Sequence, residues 1–215
     1  MREILPGVFH WQAVHPKIHI EVSSYWLEDG GVLVDPLVPP DAGVEWFAAR
    51  ATPPTAILLS NRHHYRESAR FVEAFGCPVL CNRAGLHEFT HGEDVQGFEI
   101  GERLPGDVLA CEVGVICPDE TALHLAGKRA LVIADGVVRG GPQGQSGPLG
   151  FVPDSLMDEP QRTKEGLLAA FARLLEELDF EHLLLAHGGP VIGDGRAQLQ
   201  EFVRSGKIVL DVRPD

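Results

Sequence analysis

The sequence predicts an α+β chain in which two sheets pack face to face with helices on their outer sides. Three observations support this. Each half consists mostly of apolar or loosely alternating runs too short for helices, and each half closes on segments with helical periodicity. At 215 residues the chain is long enough for one sizeable core, and units of this size commonly fold as a single domain, here 1–215.

The first half opens on strands. Val8 to Val14 and His19 to Leu27 alternate loosely, and Gly31 to Asp35 (GVLVD) is a short apolar run ending in an acid. Pro36, Pro39 and Pro40 stop that run, and Asp41 is placed to cap a helix through Arg50. Thr55 to Ser60 (TAILLS) suits a buried strand. Glu67 to Phe75 follows as a helix with Ala69, Phe71 or Val72, and Phe75 on one stripe.

Cys77 to Cys81 (CPVLC) is another short strand, and after a polar stretch the strand pattern resumes. Gly106 to Ile116, Thr121 to Leu125 and Ala130 to Asp135 are parted by turns at Pro118-Asp119 and Gly127-Lys128. Gly136 to Pro160 holds six Gly and four Pro and reads as a loop. Gln161 to Leu178 is an amphipathic helix with Leu167, Leu168, Phe171, Leu174, Leu175 and Leu178 on its apolar face. His182 to Ala186 (HLLLA) is a strand, His187-Gly188-Gly189-Pro190 a turn, and Gly195 to Arg204 the last helix.

Charge narrows the function classes. Asp and Glu number 31 against 18 Lys and Arg, so the formal net charge is −13 and the overall field repels nucleic acid. No apolar run reaches the roughly 18 to 20 residues of a membrane helix, and MREILPGVFHW lacks the apolar stretch of a signal peptide. A cytoplasmic protein with a small-molecule ligand, and no membrane partner, is the expectation. Cys77, Cys81, Cys111 and Cys117 lack the close C-x2-C pairs of a zinc ribbon and read as buried free thiols.

Loops at strand ends are where rigid scaffolds place their chemistry. Three ends carry groups able to bind a metal: Ser60-Asn61-Arg62-His63-His64-Tyr65-Arg66 after TAILLS, Asp135 after ALVIA, and His187 after HLLLA. A fourth, Ile116-Cys117-Pro118-Asp119-Glu120-Thr121, has a matching place but an apolar lead residue. This ordered set, with GVLVD ending in Asp35, resembles the metallo-β-lactamase superfamily from about Val8 to Val203. That superfamily shows a strand followed by T-H-x-H-x-D-H, a later G-H-T-P-G turn, an Asp ending a strand, and a last strand ending in His-Gly. The resemblance implies a four-layer αββα sandwich with its site at one edge of the sheets. It also implies a hydrolase acting on an ester, lactone or thioester-type bond of a small molecule.

The same resemblance implies an eroded metal centre. In the first motif one His and the His two residues on bind one metal, and the following Asp and His bind a second. Those positions here read Asn61, His63, Tyr65 and Arg66, and the G-H-T-P-G histidine falls on Ile116. Asp135 matches the bridging Asp and His187 the last His. A catalytic zinc takes about three protein ligands and keeps an open position. His63, Asp135 and His187 are therefore the candidate catalytic and metal-binding residues for at most one zinc or iron ion, with Glu120, Asp119 or Cys117 as a further donor. Asp35 and Glu120 are expected to orient the site.

The alternative is a site without metal, on a protein that binds an anion or another ligand without catalysis. Asn61, Arg62, Tyr65 and Arg66 form a polar cluster able to hold a carboxylate or phosphate. In the metal-free case His63 near Asp135 could act as an acid or base, or Arg66 could pair internally with Asp135 or Asp35 in place of a lost ion.

Other motifs are weaker. His87-Glu88-Phe89-Thr90-His91 matches the zinc-protease string H-E-x-x-H, but Gly85 and Gly92 bracket it and leave barely two helical turns. His64 and His124 read as structural or exposed, because strand alternation turns the neighbour of His63 to the other side. His10, His15 and His19, near Trp11 and Trp26, read as strand or hairpin positions, and His182 as surface. The Gly136–Pro160 loop leaves the Asp135 strand end and carries Leu149, Phe151, Leu156 and Met157. It suits either a lid over the site or a loop packed on the helices.

Overall fold

In a computed structural model, residues 1–140 and 146–206 are described. The first half forms β1 (Arg2–Leu5), β2 (Val8–Val14), β3 (Glu21–Leu27), β4 (Val32–Val34), α1 (Glu45–Ala48), β5 (Ala56–Leu58), α2 (Ser68–Phe75), β6 (Val79–Asn82) and β7 (Val95–Phe98). These strands make one sheet in the order β1-β2-β3-β4-β5-β6-β7, antiparallel as far as β4 and parallel beyond it. The second half forms β8 (Arg103–Leu104), β9 (Val108–Glu112), β10 (Thr121–Leu125), β11 (Ala130–Ile133), β12 (Val138–Arg139), β13 (Leu149–Gly150), α3 (Pro160–Glu177), β14 (His182–Leu185) and α4 (Gly195–Ser205). Its sheet runs β14-β11-β10-β9-β8, with β14 parallel to β11, while β12 and β13 pair with each other.

Side chains alternate across a strand, so each sheet has two faces to cover. Val32, Val34 and Leu58 of the first sheet meet Val108, Leu123, Val132 and Leu184 of the second, which makes the core between the sheets. Their chain neighbours face outward. Leu33 and Ile57 pack with Phe47 of α1 and Phe71 of α2, and Leu131, Ile133, Leu183 and Leu185 pack with Leu167, Phe171 and Phe202 of α3 and α4. Burying one such side chain contributes ~1.5–3 kcal/mol, so three apolar layers specify the order α, β, β, α. This is the architecture the sequence predicts.

The differences have local causes. His19 and Ile20 belong to the turn before β3, and His19 holds a left-handed φ of 56° that a strand does not accept. The helix expected from Asp41 shrinks to α1, because Gly43 at φ 63° keeps the preceding chain in turns. The strand expected to reach Ile116 stops at Glu112, ahead of Gly114 at φ 61°. In the Gly136–Pro160 loop, residues 141–145 lie outside the described residues. Elsewhere in it Leu149, Phe151 and Met157 are buried against α3 and α4, and Leu156 stays 64% exposed. Of the two readings open for this loop, the one packed on the helices therefore describes three of its four named apolar side chains, because α3 and α4 present apolar surface that these cover.

Parallel pairing of β4 with β5 and of β11 with β14 brings Asp35, the Ser60–Arg66 segment, Asp135 and His187 to strand ends of the same sense. Cross-sheet bonds from Thr121 N–H to Ser60 O (2.8 Å) and from Ser23 N–H to Ala186 O (2.9 Å) join the sheets near these ends. No helix among the described residues is long and apolar enough to cross a membrane.

Candidate metal centre

The segment after β5 decides which histidine faces inward. Asn61 begins a 3-10 turn over Arg62–Tyr65, where its side-chain oxygen accepts the His63 N–H at 2.9 Å. Strand alternation no longer holds in such a turn, which also kinks at His64 (φ −93°, ψ 19°). His64 is buried and His63 is exposed. The roles expected of these neighbours are exchanged in space, and the turn is the physical reason.

His64, Asp135 and His187 form one cluster. His187 Nε2 lies 2.9 Å and His64 Nε2 3.3 Å from Asp135 Oδ1, while Asn61 Nδ2 donates to Asp135 Oδ2 at 2.6 Å. Behind them, His64 Nδ1 meets Asp35 Oδ2 at 2.9 Å and Ser60 Oγ at 3.0 Å. Ser60 fixes Asp35 twice, through its N–H to Oδ1 at 2.8 Å and through its hydroxyl to Oδ2. The Asp135 and His187 side chains keep about a fifth of their surface in solvent, so the cluster is partly accessible.

The charges form a coupled set. Burial favours the neutral form of both carboxyls, but the His64 imidazole reverses this for Asp35, and His64 with His187 carries Asp135 well below the usual carboxylate range. Burial likewise opposes charge on His64, yet Asp35 and Asp135 outweigh it and push its pKa up to about 9. Without an ion, His64 is thus a cation donating from both ring nitrogens to two carboxylates.

The donor set fits a metal. Two imidazole nitrogens and a carboxylate oxygen lie within 4.8 Å of one another, and they are the only such group of three or more among the described residues. With bonds of about 2.0–2.2 Å, ligand atoms around a zinc stand roughly 3.3 Å apart, close to the two contacts of Asp135 Oδ1. Two His and one carboxylate suit catalytic zinc and non-haem iron alike. Asp35, by accepting the Nδ1–H of His64, leaves Nε2 as the nitrogen available to an ion.

The remaining expected residues fall around this cluster in unequal ways. Arg62 is engaged by Asp119 through its N–H at 2.6 Å and its guanidinium, with Glu88 3.8 Å away, so it is occupied as an anchor. Arg66 Nη1 donates at 2.7 Å to the carbonyls of Ser23 and Asp35, not to either carboxylate. Tyr65 is half-buried beside Phe89, ring centroids 5.9 Å apart. Glu120 is buried and accepts the Gly136 N–H at 2.7 Å. Burial, then the charge of Asp135, push its pKa up to about 8. Asp119 is held by Arg62, and Cys117 is a buried thiol that burial pushes up to about 11; neither joins the cluster. The H-E-x-x-H string is not an α-helix: a 3-10 helix ends at Glu88, His87 bonds back to Ala84 O, and both His87 and His91 are exposed. The signal that could have found His64 is Asn61, a residue type that ends strands by capping turns.

No protein-family model and no curated protein matches the sequence. Solved structures do. A metallo-beta-lactamase family protein from Thermus thermophilus superposes with a TM-score of 0.65 at 18% identity, over 94% of this chain and 80% of that one. The protein TTHA1623, solved in a di-iron-bound form, gives 0.65 at 21% identity over 90% and 97%. A metallo-beta-lactamase from Pontibacter korlensis gives 0.68 at 14% identity over 95% and 97%. The fold is that of the metallo-β-lactamase superfamily.

Proposed function

We propose, on the premise of the metallo-β-lactamase fold, that the protein is a hydrolase of an ester, lactone or thioester-type bond in a small molecule. One zinc or iron ion would be held by His64, Asp135 and His187. The observation that carries this reading is that donor set, partly exposed to solvent and fixed from behind by Asp35, Ser60 and Asn61. A structural neighbour solved in a di-iron-bound form supports the choice of metal. The ion would supply a Lewis acid and a bound water acidic enough to attack near neutral pH.

The chain's own residues prepare the place. Asn61 holds Oδ2 of Asp135, which leaves Oδ1 facing both imidazoles. Asp35 and Ser60 orient His64. The Arg66 guanidinium adds fixed positive charge beside Asp35 and Asp135, which suits one ion better than two. On this reading the protein is cytoplasmic and its partner is a small molecule, not nucleic acid or a membrane. A second reading, ligand binding without catalysis, is supported by Asn61, Tyr65, Arg66 and Ile116 standing where the superfamily motif has ligands.

Elemental analysis of protein purified without added metal, followed by assays on activated esters, lactones and thioesters, tests the two. Near-stoichiometric zinc or iron with chelator-sensitive turnover is the expected result. No ion and no turnover after zinc or iron is supplied overturns it in favour of ligand binding.

A further inference from the structure

The turn that carries His187 is held with unusual completeness. Six consecutive carbonyls, from Leu185 to Pro190, each accept a hydrogen bond from outside the turn. Three residues supply them all. The Tyr25 hydroxyl reaches Leu185 O (2.7 Å), and Ser23 reaches Ala186 O through its N–H (2.9 Å) and Gly188 O through its hydroxyl (2.8 Å). Arg139 provides the rest: its N–H donates to His187 O at 3.0 Å, and Nη1 donates to Gly189 O at 3.3 Å and Pro190 O at 3.1 Å.

Arg139 also binds in the opposite direction. Nε donates to Gly147 O and Nη2 to Ser146 O, both at 2.9 Å, so all three guanidinium nitrogens are used. A lysine in its place has one nitrogen to offer and no planar fork. Contact with the turn is so close that a Cβ on Gly188 would lie 2.5 Å from Arg139 Cβ. Backbone of this kind, outside regular strand pairing, keeps one shape only if its polar groups are answered.

We propose that Arg139 is a positioning residue of the site: it fixes the turn that presents His187 and thereby sets how tightly an ion is held. It touches neither ion nor substrate. The inference rests on His187 being a ligand, and it adds that the affinity of the site is built partly by a residue outside the donor set. Groups that hydrogen-bond a metal ligand's side chain typically change metal affinity by about 10–100-fold, and Arg139, acting through the main chain of the turn, belongs at the lower end of that range.

Two measurements on wild type, Arg139→Ala and Arg139→Lys test it. In the ion-free proteins, hydrogen exchange of peptides covering residues 183–192 is expected to quicken at least tenfold in Arg139→Ala, with the β2–β3 hairpin unchanged and Arg139→Lys in between. Zinc affinity, from competition with a chromogenic chelator, is expected to fall by about 10-fold in the same order. Unchanged exchange in 183–192 overturns the proposal, as does unchanged zinc affinity with faster exchange. Should wild type bind no zinc, the metal reading fails and so does the affinity claim. If Arg139→Ala does not fold, Arg139→Lys decides by the same two readouts.

Discussion

His64 stands between two carboxylates, its Nδ1 2.9 Å from Asp35 Oδ2 and its Nε2 3.3 Å from Asp135 Oδ1. One imidazole thereby links the end of β4 in the first sheet to the end of β11 in the second. Its neighbour His63 points to solvent. His64→Ala is expected to abolish ion binding, whereas His63→Ala and His87→Ala keep it, as measured by metal content after gel filtration. Loss of metal in His63→Ala with retention in His64→Ala would reverse the assignment.

Stability of the ion-free protein is expected to depend on pH through the same residue. The pKa of His64 is raised from 6.5 to about 9, so the folded state binds the proton more tightly than the unfolded one. That contribution, ~3 kcal/mol, is complete below about pH 6.5 and is lost as pH rises through about 9. Glu120, pushed from 4.5 up to about 8, acts in the same direction over a lower window. Urea midpoints should therefore fall between pH 6.5 and 9, with a shallower fall in His64→Gln. A midpoint that is flat or rising across this range in wild type contradicts the assignment.

Arg66 and Asp35 both hold left-handed φ angles, 46° and 48°, and the Arg66 side chain bonds to the Asp35 carbonyl. Strain of this kind persists where surrounding bonds over-determine the backbone. Arg66→Ala keeps the strain and removes the two hydrogen bonds to main-chain carbonyls, for an expected loss of about 2 kcal/mol. Arg66→Gly should be roughly 1 kcal/mol more stable than Arg66→Ala, because glycine accepts that φ. Equal chemical-denaturation curves for wild type and Arg66→Ala would mean that these two bonds do not hold the strained segment.

Gly188 and Gly193 separate crowding from backbone preference. Both have positive φ, 96° and 83°, but a Cβ on Gly188 would meet Arg139 at 2.5 Å, whereas nothing lies within 4 Å of one on Gly193. Gly193→Ala is expected to lose about 1 kcal/mol, the backbone term alone. Gly188→Ala is expected to lose ~3 kcal/mol or more and to weaken metal binding through His187. Equal losses measured by thermal unfolding would mean that Arg139 yields easily and holds the turn loosely.

Much of this protein is determined by sequence alone, and for a simple reason: apolar runs such as GVLVD, TAILLS, ALVIA and HLLLA carry both faces of buried strands, and their ends are marked by residues that cannot continue inward. Asp35, Asp135 and His187 are therefore legible as strand-end groups without coordinates. Short elements with polar or glycine residues at half their positions, such as REIL in β1 and VQGF in β7, leave no such mark. Which side chains meet at that edge depends on how the two sheets pack. His64 stands where His63 was expected because β5 ends at Leu58 and Asn61 then begins a 3-10 turn, which period-two alternation does not describe. Arg66 reaches main-chain carbonyls and Arg139 reaches a turn some fifty residues away for the same reason: the partners of a long side chain are set by the packing of two sheets, which no local pattern specifies.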